Sequence, residues 1–200
     1  MRLATYNIHK ARGIDGRTRV DRIARVLEKV DADIIALQEV VSRDGASTEE
    51  HQASYLAERL NRFYAVGETR KHRGGIYGNV TLSRWEFERV QPIDLSVDGR
   101  ERRGALRTDI RLHGHLLHIF NLHLGTAHRE RNKQAVRLMD TDLLRAVDIA
   151  GPRVVLGDFN DWTHGQVTRT LHAELHFDDL AASLPRKRNY PSILPLVHLD

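Results

Sequence analysis

The sequence predicts a layered α/β sandwich, on three observations. Strand-like apolar runs and segments of helical periodicity alternate as strand, helix, strand near both the beginning and the end of the chain. Between them, an alternating apolar and charged run is joined by a Gly-containing turn to an apolar return run, the pattern of an antiparallel hairpin. The strand-like runs also end on amides, carboxylates and a histidine. Loops beyond strand ends are where α/β sheets display chemistry, because the strand fixes the side chain and the loop leaves it accessible.

Taken in order, Arg2 to Ile8 is a short β-leaning run carrying Asn7 near its end, and His9 to Thr18 is a Gly- and charge-rich loop. Val20, Ile23, Ala24, Leu27 and Val30 recur at helical spacing, and Asp33 to Val40 reads as a second buried strand. A right-handed crossover makes the two strands parallel and places Asn7 and Glu39 at corresponding ends of one sheet. Glu39 lies on an otherwise apolar strand, where a bare carboxylate costs several kcal/mol to bury. It therefore needs a metal or another partner, or exposure at an edge.

Ser47 and Glu50 form a capping-box pattern ahead of a helix whose apolar face is Ala53, Leu56, Ala57, Leu60 and Phe63. The stretch from Arg70 to Arg84 moves from a basic, glycine-rich loop into a strand containing Asn79; the loop could approach a phosphate or simply be solvated. Phe87 to Leu95 is a weak strand, and Val97 to Gly104 is a loop carrying Arg100, Arg102 and Arg103. Leu106, Thr108, Ile110 and Leu112 alternate with Arg107, Asp109 and Arg111, as in a strand with one face in solvent. His113-Gly114 turns the chain into the return strand Leu116 to Leu124. His123 sits close to the end of that strand, either as a satisfied core histidine or as a functional group.

Val136, Met139, Leu143, Val147 and Ala150 mark a long helix leading to a strand at Arg153 to Gly157. That strand runs directly into Asp158, Asn160 and Asp161. Asp158 and Asn160 are two apart, so a continuing extended chain points them the same way, whereas an Asx turn closing the strand is the structural alternative. A short helix to about Leu175 follows. The tail from Arg186 combines a basic loop with a proline-punctuated apolar run, Ile193 to Asp200, that reads as a core strand ending on a carboxylate.

Two hundred residues at 40% hydrophobic content can bury one good core, so residues 1–200 are expected to form a single domain. The absence of cysteine excludes disulfides and thiolate metal sites, leaving oxygen and imidazole ligands and favouring a hard divalent cation. A formal net charge of +4, with 12 histidines in addition, is compatible with an anionic partner but too small to establish nucleic-acid binding. No apolar run approaches a membrane span, and Met1-Arg-Leu-Ala begins a strand-like segment without a signal-peptide core, so the default location is cytoplasmic.

The runs Thr-Tyr-Asn7-Ile-His-Lys, Ala-Leu-Gln-Glu39-Val, Tyr-Gly-Asn79-Val-Thr-Leu-Ser-Arg, Asn-Leu-His123-Leu and Gly-Asp158-Phe-Asn160 resemble the successive motifs of the endonuclease/exonuclease/phosphatase superfamily, the DNase I-like hydrolases. They occur in the family's order and cover nearly all of the chain. The resemblance implies a four-layer sandwich, two mixed sheets face to face with helices outside, and Mg²⁺- or Mn²⁺-dependent hydrolysis of phosphate esters. By matching motifs, Glu39 is expected as the principal metal ligand, with Asn7 close to the metal and the scissile phosphate. Asp158 would orient or deprotonate the attacking water, Asn160 would hold that water or a phosphate oxygen, and His123 would donate to a phosphate oxygen. Asn79 and Arg103 would face substrate.

That assignment suits the chemistry, since phosphoryl transfer asks mainly for a hard cation, oriented donors and a base near the nucleophile. The family pattern closes with a Ser-Asp-His motif whose histidine pairs with an upstream aspartate. Asp200 matches that partner, and the histidine itself is absent, so the chain is expected to be C-terminally incomplete or impaired in activity. His198 does not occupy the missing motif. Three functions follow: a phosphodiesterase acting on DNA or RNA, supported in composition only by the basic stretches 70–73, 100–103 and 186–188; a phosphatase or phospholipase-like enzyme acting on a phosphorylated lipid, inositol or other small molecule; or a non-catalytic binding protein.

Overall fold

A computed structural model describes residues 1–43, 50–72, 74–140, 143–146, 148–161 and 165–180. They form two four-stranded sheets that the chain completes one after the other. The first contains β1 (Leu3–Asn7), β2 (Ile34–Ser42), β3 (Phe63–His72) and β4 (Gly75–Ser83) in the order β1-β2-β4-β3. The second contains β5 (Phe87–Asp94), β6 (Gly104–Leu112), β7 (His115–His123) and β8 (Arg153–Asp158) in sequence order. Helix α1 (Val20–Val30) joins β1 to β2, and α3 (His128–Leu138) lies between β7 and β8; both strand pairs are parallel, as such crossovers require, and the remaining neighbours are antiparallel. Helices α2 (Gln52–Leu60) and α4 (Gln166–Leu175) and a short 3-10 turn at His9–Ala11 complete the described elements.

Strand periodicity sorts the side chains into layers. Ile35 and Leu37 of β2 meet Ala24 and Leu27 of α1 and Leu56 of α2, while Phe120 and Leu122 of β7 meet Leu138 of α3 and Leu171 of α4. Ile34, Ile110, Leu117 and Ile119 fill the space between the two sheets. The order is helix, sheet, sheet, helix, with the two mixed sheets face to face.

Towards one end of this inter-sheet layer the packing becomes polar. The Asn121 side-chain amide donates to Leu37 O at 3.1 Å and Val80 O at 3.0 Å, and its oxygen accepts from Gln38 at 2.8 Å. Asn79 donates to Gly104 O and Asn121 O, each at 3.0 Å. Buried amides must be satisfied, and these satisfy one another across the sheets, which fixes how the sheets register beside the strand ends.

Several local expectations are corrected. Helix α2 begins at Gln52, capped by the His51 ring nitrogen, which accepts from the Ser54 N–H at 3.2 Å; Glu50 pairs instead with Arg43, and Ser47 lies outside the described residues. Phe63 does not extend that helix. Asn61 ends it in a left-handed conformation, and Phe63 opens β3, so Arg70, Lys71 and His72 belong to a strand and not to a loop; Arg73 lies outside the described residues. Strand β6 is buried on both faces from Gly104 to Ile110. Its charges are paired inside: Arg107 donates to Asp109 at 3.0 and 2.9 Å, and Asp109 meets the His118 ring at 2.9 Å.

Helix α3 stops at Leu138 and turns Glu130, Arg131, Gln134, Ala135 and Leu138 inward, leaving Val136 at 69% exposure. Its polar inner face is used: Arg131 donates to Gly125 O and Thr126 O, and Gln134 joins Gly125 N to Leu95 O. Leu143 and Ile149 pack into the core from turns, and Val147 lies outside the described residues. So does the expected strand from Ile193 to Asp200.

Candidate active site

Three strand ends, at Asn7, His123 and Asp158, and a bulge in β2 at Glu39 converge from both sheets on one rim. The Asn7 amide nitrogen stands between two carboxylates, 3.2 Å from Glu39 Oε1 and 2.8 Å from Asp158 Oδ2. Asp158 Oδ1 accepts the Asn160 N–H at 3.0 Å, and its Oδ2 is 3.9 Å from His123 Nε2. The Asx turn and the contact with Asn7 therefore coexist, one on each oxygen of Asp158. Asn160, at φ 51°, spends its amide nitrogen on Leu124 O at 2.9 Å and so anchors the loop to β7.

The backbone is bent to make this convergence. The register of β2 against β4 shifts between Leu37 and Val40, and Glu39 within that bulge has φ 57°. A bulge re-aims a side chain that strict alternation would send elsewhere. The left-handed conformation costs a non-glycine residue roughly 1–2 kcal/mol, the kind of strain that accumulates where function needs it. Gln52 braces the bend, accepting from Val41 N at 3.0 Å and donating to Lys10 O at 2.9 Å. On the other sheet, Gly157 at φ 146° brings β8 so close to β7 that a Cβ would lie 2.0 Å from Leu122 O. That approach sets Asp158 directly beside its register partner His123.

Two residues unforeseen as site members complete the cluster. Residues His9, Lys10 and Ala11 all have positive φ, and this tight turn returns Lys10 Nζ to 2.7 Å and His9 Nδ1 to 3.3 Å from Glu39 Oε2. The signal was present, since both follow Asn7 directly in the first motif. Burial pushes the Glu39 carboxyl up, but the Lys10 hydrogen bond and charge, with Asn7 and His123, win and hold it at about 2. Burial pushes the His123 imidazole below its ordinary value, and the neighbouring Arg103 charge adds to this against the opposing pull of Asp158, Glu39 and Glu101. The rim thus holds an ionised Glu39 and favours a neutral histidine.

Arg103 and Asn79 lie behind this rim. Asn79 is 2% exposed, with both amide hydrogens committed to the inter-sheet layer. Arg103, 7% exposed, pairs with Glu101 at 3.0 Å. Asp200 lies outside the described residues. Among the described residues no group of three or more His, Cys, Asp or Glu side chains is arranged to hold a metal ion. The donor set nonetheless fits a hard divalent cation: Glu39 Oε2 already faces a positive charge, Asp158 is one amide away, and Mg²⁺ takes one or two carboxylates while retaining waters. No helix among the described residues is long and apolar enough to cross a membrane.

Two face-to-face mixed sheets clad in helices, with carboxylates, amides and a histidine gathered at the strand ends, define the DNase I-like class of α/β sandwich. Residues 4–192 match the Endonuclease/Exonuclease/phosphatase family, and the chain belongs to it. That membership supports a phosphoesterase. The chain is 29% identical over 213 residues to the uncharacterized protein YbhP of Escherichia coli K12, covering 100% of this chain and 82% of that protein. A family structure from Beutenbergia cavernae superposes with TM-score 0.71 at 26% identity over 90% of this chain, which spans 55% of that one. A mannosyl-6-phosphatase of Bacteroides thetaiotaomicron shares the fold at TM-score 0.70 and 19% identity, with 85% of this chain and 69% of that chain covered.

Proposed function

We propose that the chain is a divalent-metal-dependent phosphoric ester hydrolase of the phosphodiesterase type, using an activated water as nucleophile. The observation that carries this reading is the Asn7 amide tied at once to Glu39, in the bulge of β2, and to Asp158, at the end of β8. Glu39, with Asn7 beside it, would hold the cation, which when bound supplies charge neutralisation at the phosphoryl oxygens. Asp158 takes the proton of the attacking water, held in place by Asn160 and Asn7 through its two oxygens. His123, kept neutral by burial, donates a hydrogen bond to a phosphate oxygen without adding a full charge. Asn79 shapes the pocket wall and Arg103 faces the substrate's negative charge.

The substrate is a nucleic acid, a phospholipid or a smaller phosphoester. A panel containing DNA, RNA, a phospholipid and a hexose phosphate, assayed with Mg²⁺ and Mn²⁺ and with excess chelator, tests the reading. Turnover of at least one member that chelator abolishes and Glu39→Gln removes is expected. Turnover unaffected by chelator would overturn it.

A further inference from the structure

Beside the rim, the proposed chemistry uses Arg103 but neither Arg70 nor Glu101. Glu101 bridges two arginines from different segments: its Oε1 is 3.2 Å from Arg70 Nη2 on β3, and its Oε2 is 3.0 Å from Arg103 Nη2, just ahead of β6. The three side chains differ in how firmly they are held. Arg103 is almost buried, with 8% of its side chain exposed, and Arg70 lies 4.5 Å from the ring centroid of buried Tyr77. Lys10 approaches the same ring at 5.5 Å, so a line of positive charge runs from the Glu39 cluster around Tyr77 to Arg103. Glu101 is 48% exposed on a surface loop.

The donors also outnumber the acceptors. The buried Nε atoms of both Arg70 and Arg103 have no hydrogen-bond partner, although each guanidinium presents a fork built for a two- or three-oxygen anion. Leaving such an N–H buried and unpaired is costly, whereas an exposed ion pair returns little. One half-exposed carboxylate is thus a weak occupant beside a nearly buried Arg103 and an Arg70 that is 34% exposed and stacks on Tyr77. The location adjoins the reaction centre, since Gly104, next to Arg103, is the register partner of His123.

We propose that Arg70 and Arg103 form a second anionic subsite in which Glu101 is a displaceable internal occupant, and that the preferred substrates are phosphoesters carrying a further anionic group beside the scissile one. This rests on the phosphoesterase reading for the word substrate, though not for the binding of the anion. Glu101 then acts as a specificity residue: it charges every incoming ligand the cost of its own displacement, which only a multiply charged group recovers.

The test has two arms, using the full chain and the variants Glu101→Gln and Arg70→Gln. In the first, metal-depleted protein is titrated calorimetrically with inorganic pyrophosphate. Glu101→Gln should bind it about tenfold more tightly than the parent and Arg70→Gln about tenfold more weakly, as the loss of one charged competitor or donor implies. In the second, KM with Mg²⁺ is compared for dTdT and for pdTdT, which differ by one terminal phosphate. Glu101→Gln should lower the KM ratio of pdTdT to dTdT, and Arg70→Gln should raise it. Pyrophosphate affinity unchanged in both variants overturns the subsite. Altered pyrophosphate affinity with no turnover of either dinucleotide supports the subsite and counts against the hydrolase reading instead.

Discussion

Gln38 donates its side-chain N–H to the amide oxygen of Asn121 at 2.8 Å, joining the first sheet to the second where the two residues are 1% and 0% exposed. Asn121 in turn donates to Leu37 O and Val80 O, so its removal takes a donor from each of these two buried carbonyls. Asn121→Ala is expected to lower stability by about 2–4 kcal/mol, and Gln38→Ala by somewhat less, because unpaired buried polar groups bear the desolvation cost in full. Denaturant midpoints for the singles and the double will show it. The double should be less destabilised than the sum by about 1 kcal/mol or more; strict additivity would mean the two amides do not act together.

Glu39→Gln keeps the side-chain shape and removes the charge that Lys10 answers at 2.7 Å. Mg²⁺ affinity measured by calorimetry should fall by at least about tenfold, the usual scale for losing a charged ligand or its support. Stability in chelator should fall by no more than about 1 kcal/mol, since the ion pair is partly solvated. The parent's own pH response has a definite sign. The carboxyl sits at about 2 in the fold against 4.5 ordinarily, so its contribution is complete above pH 4.5 and is lost as the pH falls towards 2. Unaltered Mg²⁺ binding in the variant would remove Glu39 from the metal site.

His123 should show the dependence expected of a buried neutral imidazole. Its pKa in the fold lies below the ordinary 6.5, so around and below that pH the unfolded chain takes up a proton that the folded chain refuses. Stability from this group is therefore present above 6.5 and is lost as the pH falls from there towards the folded value. His123→Gln should be less sensitive than the parent to acidification from about pH 7.5 to about pH 5, read as the difference in denaturation midpoint at each pH. Parallel profiles for the two proteins would show that His123 carries no depressed pKa.

Asp158→Asn retains one acceptor for the Asn160 N–H at the turn but offers an amide where Asn7 donates. Turnover at saturating substrate should drop by about 10² or more, as when a general base is removed, while the melting temperature shifts by only a few degrees. An active Asp158→Asn would leave the aspartate with its turn alone.

The residues of the candidate site were largely legible because polar groups on apolar runs announce themselves in sequence: Asn7, His123 and Asp158 close such runs, and Glu39 interrupts one. What connects those residues was not. Lys10 reaches Glu39 only because three successive residues adopt positive φ, a conformation that His, Lys and Ala do not advertise. Strand β3 was hidden because Leu60 and Phe63 continue the helical spacing of α2, and the break at Asn61 is a backbone event. The charges of β6 suggested solvent, since nothing local reveals that Arg107, Asp109 and His118 answer one another across two strands. Long-range pairing decides burial, and a linear pattern contains only the near half of each pair.

The sequential construction of the sheets makes the rim a composite of two consecutive halves. Asn7, Lys10 and Glu39 come from the half ending with β4, whereas His123, Asp158 and Asn160 come from the half beginning with β5, and among the described residues the chain crosses between them once, through residues 84–86. On the proposed reading, neither half owns a working set of groups. Activity is in this sense a report on docking: a polypeptide severed in that short crossing would regain its chemistry only as the two fragments reassociate, with the Gln38 and Asn121 amides acting as the key that admits one alignment of the fragments and refuses its neighbours.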